Sequence, residues 1–132
     1  MTVPLLKSIH HVAIICYDYP ISRAFYSETL GLPIVHEVYR EARQSWKCDL
    51  LVSPGVQLEL FSFPTPPSRP SRPEAQGLRH LAFAVDDIDA SISTLAARGV
   101  PCEPVRVDEY TGRRFTFFAD PDDLPIELYA VN

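Results

Sequence analysis

The segments IHHVAIICYD (residues 9–18) and LRHLAFAVDD (residues 78–87) decide the fold, because they are two copies of one pattern. In each copy a histidine is followed by an apolar run that predicts a strand. The aspartates that end the run, Asp18 in the first copy and Asp86-Asp87 in the second, predict the start of a helix. Each copy is therefore expected to begin with a strand and a helix.

The rest of the chain repeats with the same spacing. A shift of 68 positions superimposes four pairs of residues: Asp18 with Asp86, Gly31 with Gly99, Pro33 with Pro101, and Phe61 with Tyr129. The glycines mark the ends of the two helices. Three further strands are predicted after each helix, at residues 34–39, 46–52 and 56–63 in the first copy and at residues 104–107, 113–118 and 126–131 in the second.

Each copy is therefore predicted to be a βαβββ module. The predicted fold class is α+β, with two such modules forming a curved, mostly antiparallel sheet cup. Residues 8–63 and 78–131 are the modules of a single domain, residues 1–132, and neither module alone is long enough to bury a comfortable core. A proline-rich linker, residues 64–77, joins them, and five of the 13 prolines fall in residues 64–73, which predicts a stiff, extended strap.

Composition excludes several classes of function. A chain of 132 residues with 46% apolar and 22% charged residues predicts one globular domain, and its net charge of −5 argues against a nucleic acid or an anionic membrane as partner. There is no apolar run of the roughly 18 residues that a membrane helix needs, nor a secretion signal at the start, so a cytoplasmic protein is expected. The three cysteines, Cys16, Cys48 and Cys102, are predicted to be reduced thiols.

Four candidate metal ligands follow the repeat. His11 and His80 are 69 positions apart, and Glu59 and Glu127 are 68 apart, so each copy supplies one histidine and one glutamate. Strand alternation predicts that each histidine shares a face with an alanine two residues later, and that the glutamates face away from the apolar side chains next to them. His10, in contrast, is expected on the opposite face.

This set of side chains suits a divalent cation. Two neutral imidazoles and two carboxylates balance its charge, and four ligands leave two octahedral positions for substrate oxygens. A single glutamate or histidine on a strand is more often solvated or packed. The joint recurrence nevertheless favours a metal site with His11, Glu59, His80 and Glu127 as ligands and with zinc, nickel, cobalt or manganese as the ion.

The motifs HHVAII (residues 10–15), VQLELF (56–61), LRHLAFAVDDID (78–89) and DPDDLPIEL (120–128) resemble the vicinal oxygen chelate superfamily. The likeness covers nearly the whole chain and is strongest to the glyoxalase I branch and its small bacterial YaeR-type subgroup. It implies a paired βαβββ fold around one divalent metal. In glyoxalase I a proton moves between adjacent carbons of a hemithioacetal, and a glutamate matching Glu127 is both ligand and base.

The resemblance therefore implies a metal-dependent lyase or isomerase that is similar to lactoylglutathione lyase. No clear match exists for the polar residues that hold glutathione, so the predicted substrate is a small oxygenated molecule of the hemithioacetal class whose thiol stays open. Other enzymes of the superfamily remain alternatives, namely an extradiol dioxygenase, an epimerase or a fosfomycin-type transferase. A non-catalytic drug-binding module of the bleomycin resistance kind is a further alternative.

Residues that contact the substrate are harder to predict. Phe61 and Tyr129 are candidates because they share strand faces with the two glutamates. Arg69 and Arg113 are candidates for an anionic group of the substrate. A homodimer is also expected, because curved sheets of this kind leave open edges.

Overall fold

A computed structural model describes residues 3–132 of the chain, which divide into two compact units, one ending at Pro66 and the other beginning at Pro67. The elements of the first unit are β1 (His11–Cys16), α1 (Tyr19–Ala24), β2 (Ile34–Arg40), β3 (Ser45–Ser53) and β4 (Val56–Ser62). Those of the second are β5 (Leu81–Val85), α2 (Ile88–Ala97), β6 (Arg106–Val107), β7 (Arg114–Ala119) and β8 (Pro125–Ala130).

The two units contain the same sheet. The strand order is β1-β4-β3-β2 in the first and β5-β8-β7-β6 in the second. In each sheet the first strand runs parallel to its neighbour and the other two pairs are antiparallel. The predicted α+β class, with two βαβββ modules and mostly antiparallel pairing, is confirmed.

Alternation along the strand that carries each glutamate separates a core face from an open face. In β4, Leu58 and Leu60 are buried while Glu59 between them is half-buried. In β8, Ile126 and Leu128 are buried on either side of Glu127 in the same way. Helix α1 contacts β4 and α2 contacts β8. Each unit therefore has its own apolar layer, and each glutamate lies on the face away from it.

The helix ends follow the sequence signals. Asp18 Oδ1 accepts a hydrogen bond from the Ile21 amide at 3.2 Å, and Asp87 Oδ1 accepts one from the Ala90 amide at 3.0 Å, so both aspartates are N-caps. Gly31, after the first helix, has a positive φ of 76°, a conformation that favours glycine. The sequence does not predict that α1 continues as a π-helical turn, Phe25–Thr29, which buries two neighbouring aromatic rings.

Three strands are shorter than the sequence predicts. β1 begins at His11 rather than at residue 8, and β5 begins at Leu81 rather than at residue 78. β6 contains only Arg106 and Val107, because Pro104 has no N–H to donate to a strand ladder. The two histidines of the predicted site therefore lie at the start of β1 and directly before β5.

The proline-rich segment is not the extended strap that its composition suggests. Residues 71–74 form a turn, and the buried Ser71 hydroxyl donates to the Asp123 carbonyl at 2.7 Å. Arg72 NH1 lies 2.7 Å from Asp123 Oδ2. Side-chain hydrogen bonds thus hold this part of the segment to the loop before β8, an arrangement that proline content alone does not encode.

Two further predictions concern the cysteines and the membrane. Cys16 and Cys48 are buried thiols outside any disulfide, and Cys102 is a half-buried one. Burial raises the pKa of the Cys48 thiol, which keeps it protonated and unreactive. Within residues 3–132 no helix is both long enough and apolar enough to cross a membrane.

Candidate functional site

The first candidate pair is His11 with Glu59, on the parallel strands β1 and β4. The register places Ala13 opposite Glu59, and His11 is two residues before Ala13 on the same side of the pleat. Because alanine is small, the imidazole can lie over it and reach the carboxylate. His11 Nδ1 is 3.5 Å from Glu59 Oε2.

The second pair, His80 with Glu127, repeats this arrangement on β5 and β8. Ala82 is opposite Glu127 in a parallel pairing, and His80 again precedes the alanine by two residues. His80 Nε2 is 3.1 Å from Glu127 Oε1, and the side chains are 24% and 13% exposed. The two units thus present the same histidine–glutamate pair at the same position of the same sheet.

The donor atoms in each pair have the spacing that a shared metal ion requires. Two ligands at about 2.1 Å from one ion, in neighbouring octahedral positions, are roughly 3 Å apart, close to the distance between His80 Nε2 and Glu127 Oε1. The side chains present therefore fit a divalent cation in charge, chemistry and spacing. Each pair contains two candidate ligands, and the described part of the chain holds no group of three or more His, Cys, Asp and Glu side chains placed to bind a metal.

Charged side chains surround the first pair. Lys47 Nζ lies 2.7 Å from Asp49 Oδ1 and 3.8 Å from Glu59 Oε1. Asp49 pairs with Glu59 across β3 and β4, and His36 Nδ1 is 3.8 Å from the other oxygen of Asp49. Lys47 therefore compensates the negative charge of two neighbouring carboxylates.

Aromatic rings surround the second pair instead. Phe117 pairs with Glu127 across β7 and β8, and its ring meets the His80 ring edge to face at 5.0 Å. The guanidinium carbon of Arg106 lies 5.1 Å from the centre of the Phe115 ring and 5.7 Å from that of Phe117. Within residues 3–132, no Lys or Arg nitrogen forms an ion pair with Glu127.

The expectation that His10 points away from His11 is wrong. Its Nδ1 lies 2.9 Å from His11 Nδ1, and the two rings are T-shaped. The reason is that β1 begins only at His11, so strand alternation does not govern the residue before it. His10 is therefore a neighbour of the first pair, to which it can offer a hydrogen bond.

Of the predicted substrate contacts, Arg69 is the one that lines a cavity beside a candidate ligand. Phe61 stacks on Phe63 and is covered by the Arg40 guanidinium at 4.8 Å. The Tyr129 hydroxyl donates to Asp108 Oδ2 at 2.9 Å and bonds the Thr111 hydroxyl, which holds the loop between β6 and β7. Phe61, Tyr129 and Arg113 line neither of the two cavities described next.

Two adjoining cavities, each of about 510 Å³, open on the His80 side of the second unit. Both are lined by Arg79, His80, Arg106 and Phe117, and the second also reaches Glu127. Sequence reasoning missed Arg106. The available signal is that the repeat places Val38 at the equivalent position of the first copy, so an arginine stands where the first copy has an apolar residue.

A separate polar cluster lies beneath α1. Arg23 Nε and NH2 bond the two Glu37 oxygens at 2.7 and 3.1 Å, and the buried Tyr19 hydroxyl also donates to Glu37. These donors lower the pKa of the Glu37 carboxyl. Burial raises the pKa of Tyr19, whose ring stacks on Trp46 at 5.3 Å. The cluster connects α1 to β2 and β3 and therefore serves to stabilise the fold.

Comparison with known proteins finds similarity over nearly the whole chain. The sequence model of the glyoxalase/bleomycin resistance protein/dioxygenase superfamily matches residues 8–128. The chain is 62% identical over 124 residues to the uncharacterized protein YaeR of Escherichia coli (strain K12), covering 94% of this chain and 96% of that protein.

Two more similar proteins widen the comparison. A crystal structure of a glyoxalase family protein from Enterococcus faecalis superimposes with a TM-score of 0.88 at 45% identity, covering 96% of this chain and 99% of that one. A 2-epi-5-epi-valiolone epimerase from an Actinomyces species is 28% identical over 148 residues, covering 96% of this chain and 80% of the epimerase.

Proposed function

Because the chain belongs to the glyoxalase/bleomycin resistance protein/dioxygenase superfamily, we propose that it is a metal-dependent enzyme that transfers a proton on a small substrate with two adjacent oxygens. The proposed class is a glyoxalase I-like lyase or isomerase. The observation that carries the proposal is the repeated pair, His11 with Glu59 and His80 with Glu127, at 3.5 and 3.1 Å.

The pair from the first unit and the pair from the second would together complete the ligand set. His11, Glu59, His80 and Glu127 together supply two neutral nitrogens and two carboxylates, which neutralise a divalent cation such as zinc, nickel, cobalt or manganese. When bound, the metal supplies a positive centre that orients the substrate oxygens and makes the neighbouring C–H more acidic. The four ligands come from one chain or from two, and the crystallographic test below separates these arrangements.

The two glutamates are proposed to have different roles. Lys47 lies 3.8 Å from Glu59 and holds it in a charged network, which suits a carboxylate that only binds the metal. Glu127 has His80 and the Phe117 ring as neighbours and is 13% exposed. A carboxylate without a permanent cationic partner can take a proton from one carbon and return it to the next. Glu127 is therefore the proposed base.

The first experiment measures the metal. Elemental analysis of purified protein, of protein treated with chelator and of reconstituted protein should give about one divalent ion per four-ligand set, and His80→Ala should lose it. His36→Ala is the matched control, because His36 is exposed and lies beside Asp49 rather than beside either candidate glutamate. Equal metal content in reconstituted wild type, His80→Ala and His36→Ala would refute the ligand assignment.

The second experiment measures proton transfer. Metal-loaded protein is incubated in D₂O with a panel of hydroxycarbonyl compounds and with methylglyoxal plus glutathione, and NMR follows the exchange of carbon-bound protons. Exchange that depends on metal and on Glu127 supports the proposal. Oxygen uptake with catechols would instead indicate a dioxygenase, and ligand binding with no exchange for any compound would indicate a drug-binding module.

A further inference from the structure

The first of the two cavities of the second unit is rich in arginine, whereas the second is lined by two arginines and three carboxylates. The first is lined by four arginines, Arg69, Arg72, Arg79 and Arg106, against two glutamates, Glu74 and Glu103. A volume of about 510 Å³ lies within the range of small-molecule sites. Because His80 lines both cavities, a molecule bound here would extend directly to the second candidate pair.

Arg69 contributes a fixed positive charge. Its Nε donates to the Ser71 hydroxyl at 2.8 Å, and its NH2 donates to the Leu78 and Arg79 carbonyls at 2.8 and 3.1 Å. All three acceptors are neutral, and within residues 3–132 no carboxylate forms an ion pair with this arginine. The guanidinium is therefore held in position while its charge stays uncompensated.

Arg106 contributes a charge that is oriented by aromatic rings. Its guanidinium lies against Phe115 and Phe117, which fixes its position, and its NH2 donates to Glu103 Oε1. Its acidic neighbour, Glu103, is 3.1 Å away, but the two side chains are 54% and 55% exposed. An exposed pair of this kind is weak, so an anionic ligand can displace Glu103.

The position of Arg106 ties this charge to the candidate site. The Phe117 ring that supports the guanidinium also contacts His80 at 5.0 Å and belongs to the residue paired with Glu127. A ligand whose anionic end binds Arg106 thus has its other end near the His80–Glu127 pair. The first unit lacks this arrangement, since Val38, Lys47 and Asp49 occupy the equivalent positions.

We propose that the first cavity is an anion subsite, in which Arg106 and Arg69 bind a carboxylate or phosphate group of the substrate. This inference rests on the proposed function and adds the substrate class: a small, negatively charged oxygenated molecule. The negative end binds the two arginines, and the reacting carbon lies toward Glu127. Arg106 can bind either group through two N–H donors once Glu103 is displaced. Arg69 adds its NH1 group, because its Nε and NH2 already donate to Ser71, Leu78 and Arg79.

The test uses full-length protein stripped of metal by chelator, so that anion binding is measured independently of the metal site. Inorganic phosphate and succinate are titrated separately and followed by amide NMR shifts, with sodium chloride of matched ionic strength as the reference. Saturable shifts are expected in residues 69–80 and 103–106. Saturation by phosphate alone, by succinate alone or by both supports the subsite and identifies which group it takes.

Variants assign the binding to Arg106. Arg106→Gln should raise the dissociation constant by about tenfold, the typical loss for one charge-assisted contact. Arg114→Gln is the matched control and should change nothing, because Arg114 pairs with Asp89 and lines neither cavity. No saturable shift with either anion, or equal binding by wild type and Arg106→Gln, would overturn the inference. Metal content, measured on the same variants, should stay at the wild-type level and reports separately on the proposed function.

Discussion

Asp49 and Phe117 occupy the same position in the two repeats: each is paired across its sheet with the glutamate of its unit, Asp49 with Glu59 and Phe117 with Glu127. The backbone register is conserved between the copies, but the side chain beside the glutamate changes from a carboxylate to a phenyl ring. One glutamate therefore lies in a charged network and the other beside aromatic rings. This difference supports unequal roles for two proposed ligands that occupy equivalent positions of the repeat.

The first prediction compares Glu59→Gln with Glu127→Gln. Glu59→Gln should weaken metal retention, and excess metal should restore most of the proton exchange. Glu127→Gln should lower the exchange rate by ~10² to 10⁴ even when fully metal-loaded, because a general base contributes about that much. The measurement is metal content together with C–H exchange on each variant. Equal losses that excess metal repairs in both variants would remove the special role of Glu127.

The second prediction concerns assembly. Each four-stranded sheet has two edge strands, β1 and β2 in the first unit and β5 and β6 in the second. Exposed edges favour pairing with another chain. Analytical ultracentrifugation should therefore find a homodimer with twice the 14.9 kDa mass of the chain. A single species of 14.9 kDa at every concentration tested would contradict the prediction.

The third prediction uses the Glu37 cluster. Arg23 and Tyr19 lower the pKa of Glu37 below its ordinary value of 4.5, so the unfolded chain binds a proton here more readily than the folded one. The stabilisation from Glu37 is complete at pH values above the ordinary pKa and is lost as the pH falls through the lowered pKa of the folded protein.

Urea denaturation across the acid range measures this effect. Glu37→Gln should lower the free energy of unfolding at neutral pH by about 1 to 2 kcal/mol, a modest value because Arg23 is 40% exposed. The variant should also lose less stability than wild type on acidification. Glu41→Gln, at an exposed position, is the control. If Glu37→Gln loses as much unfolding free energy on acidification as wild type does, Glu37 is not the source of the effect.

Much of the fold follows from local chemistry that the sequence displays. Asp18 and Asp87 cap helices because their side chains reach backbone amides three residues later, and this depends on nothing distant. The strands follow from alternation, as Leu58 and Leu60 in β4 illustrate. The repeat then identifies the glutamates at a shift of 68 positions and the histidines at a shift of 69, both visible without any structure.

The features that the sequence does not reveal depend on contacts between distant residues. Arg106 is positioned by rings on the neighbouring strand, so its role emerges only once the register is known. His10 approaches His11 because β1 begins three residues later than hydrophobicity suggests. Ser71 hydrogen-bonds the Asp123 carbonyl, 52 residues away, and the amino-acid composition of the proline-rich segment does not predict this contact.

The fourth prediction concerns that link. Ser71 is buried, donates to the Asp123 carbonyl at 2.7 Å and accepts from Arg69 Nε at 2.8 Å. Ser71→Ala should lower the free energy of unfolding by about 1 to 3 kcal/mol, because buried partners are left unsatisfied. It should also weaken anion binding, because Arg69 Nε loses its hydrogen bond to the Ser71 hydroxyl. Ser68→Ala, an exposed position in the same segment, should alter neither property in urea denaturation and NMR titration.

The central claim is that His11, Glu59, His80 and Glu127 bind one divalent metal. The most direct measurement is an anomalous difference map from crystals of the metal-loaded protein, recorded on both sides of the absorption edge of the ion found by elemental analysis. The claim predicts one peak per ligand set within coordination distance of these four side chains, and the map shows at once whether they belong to one chain or to two. No peak at these side chains in metal-loaded crystals, or a peak bound by other residues, would contradict it.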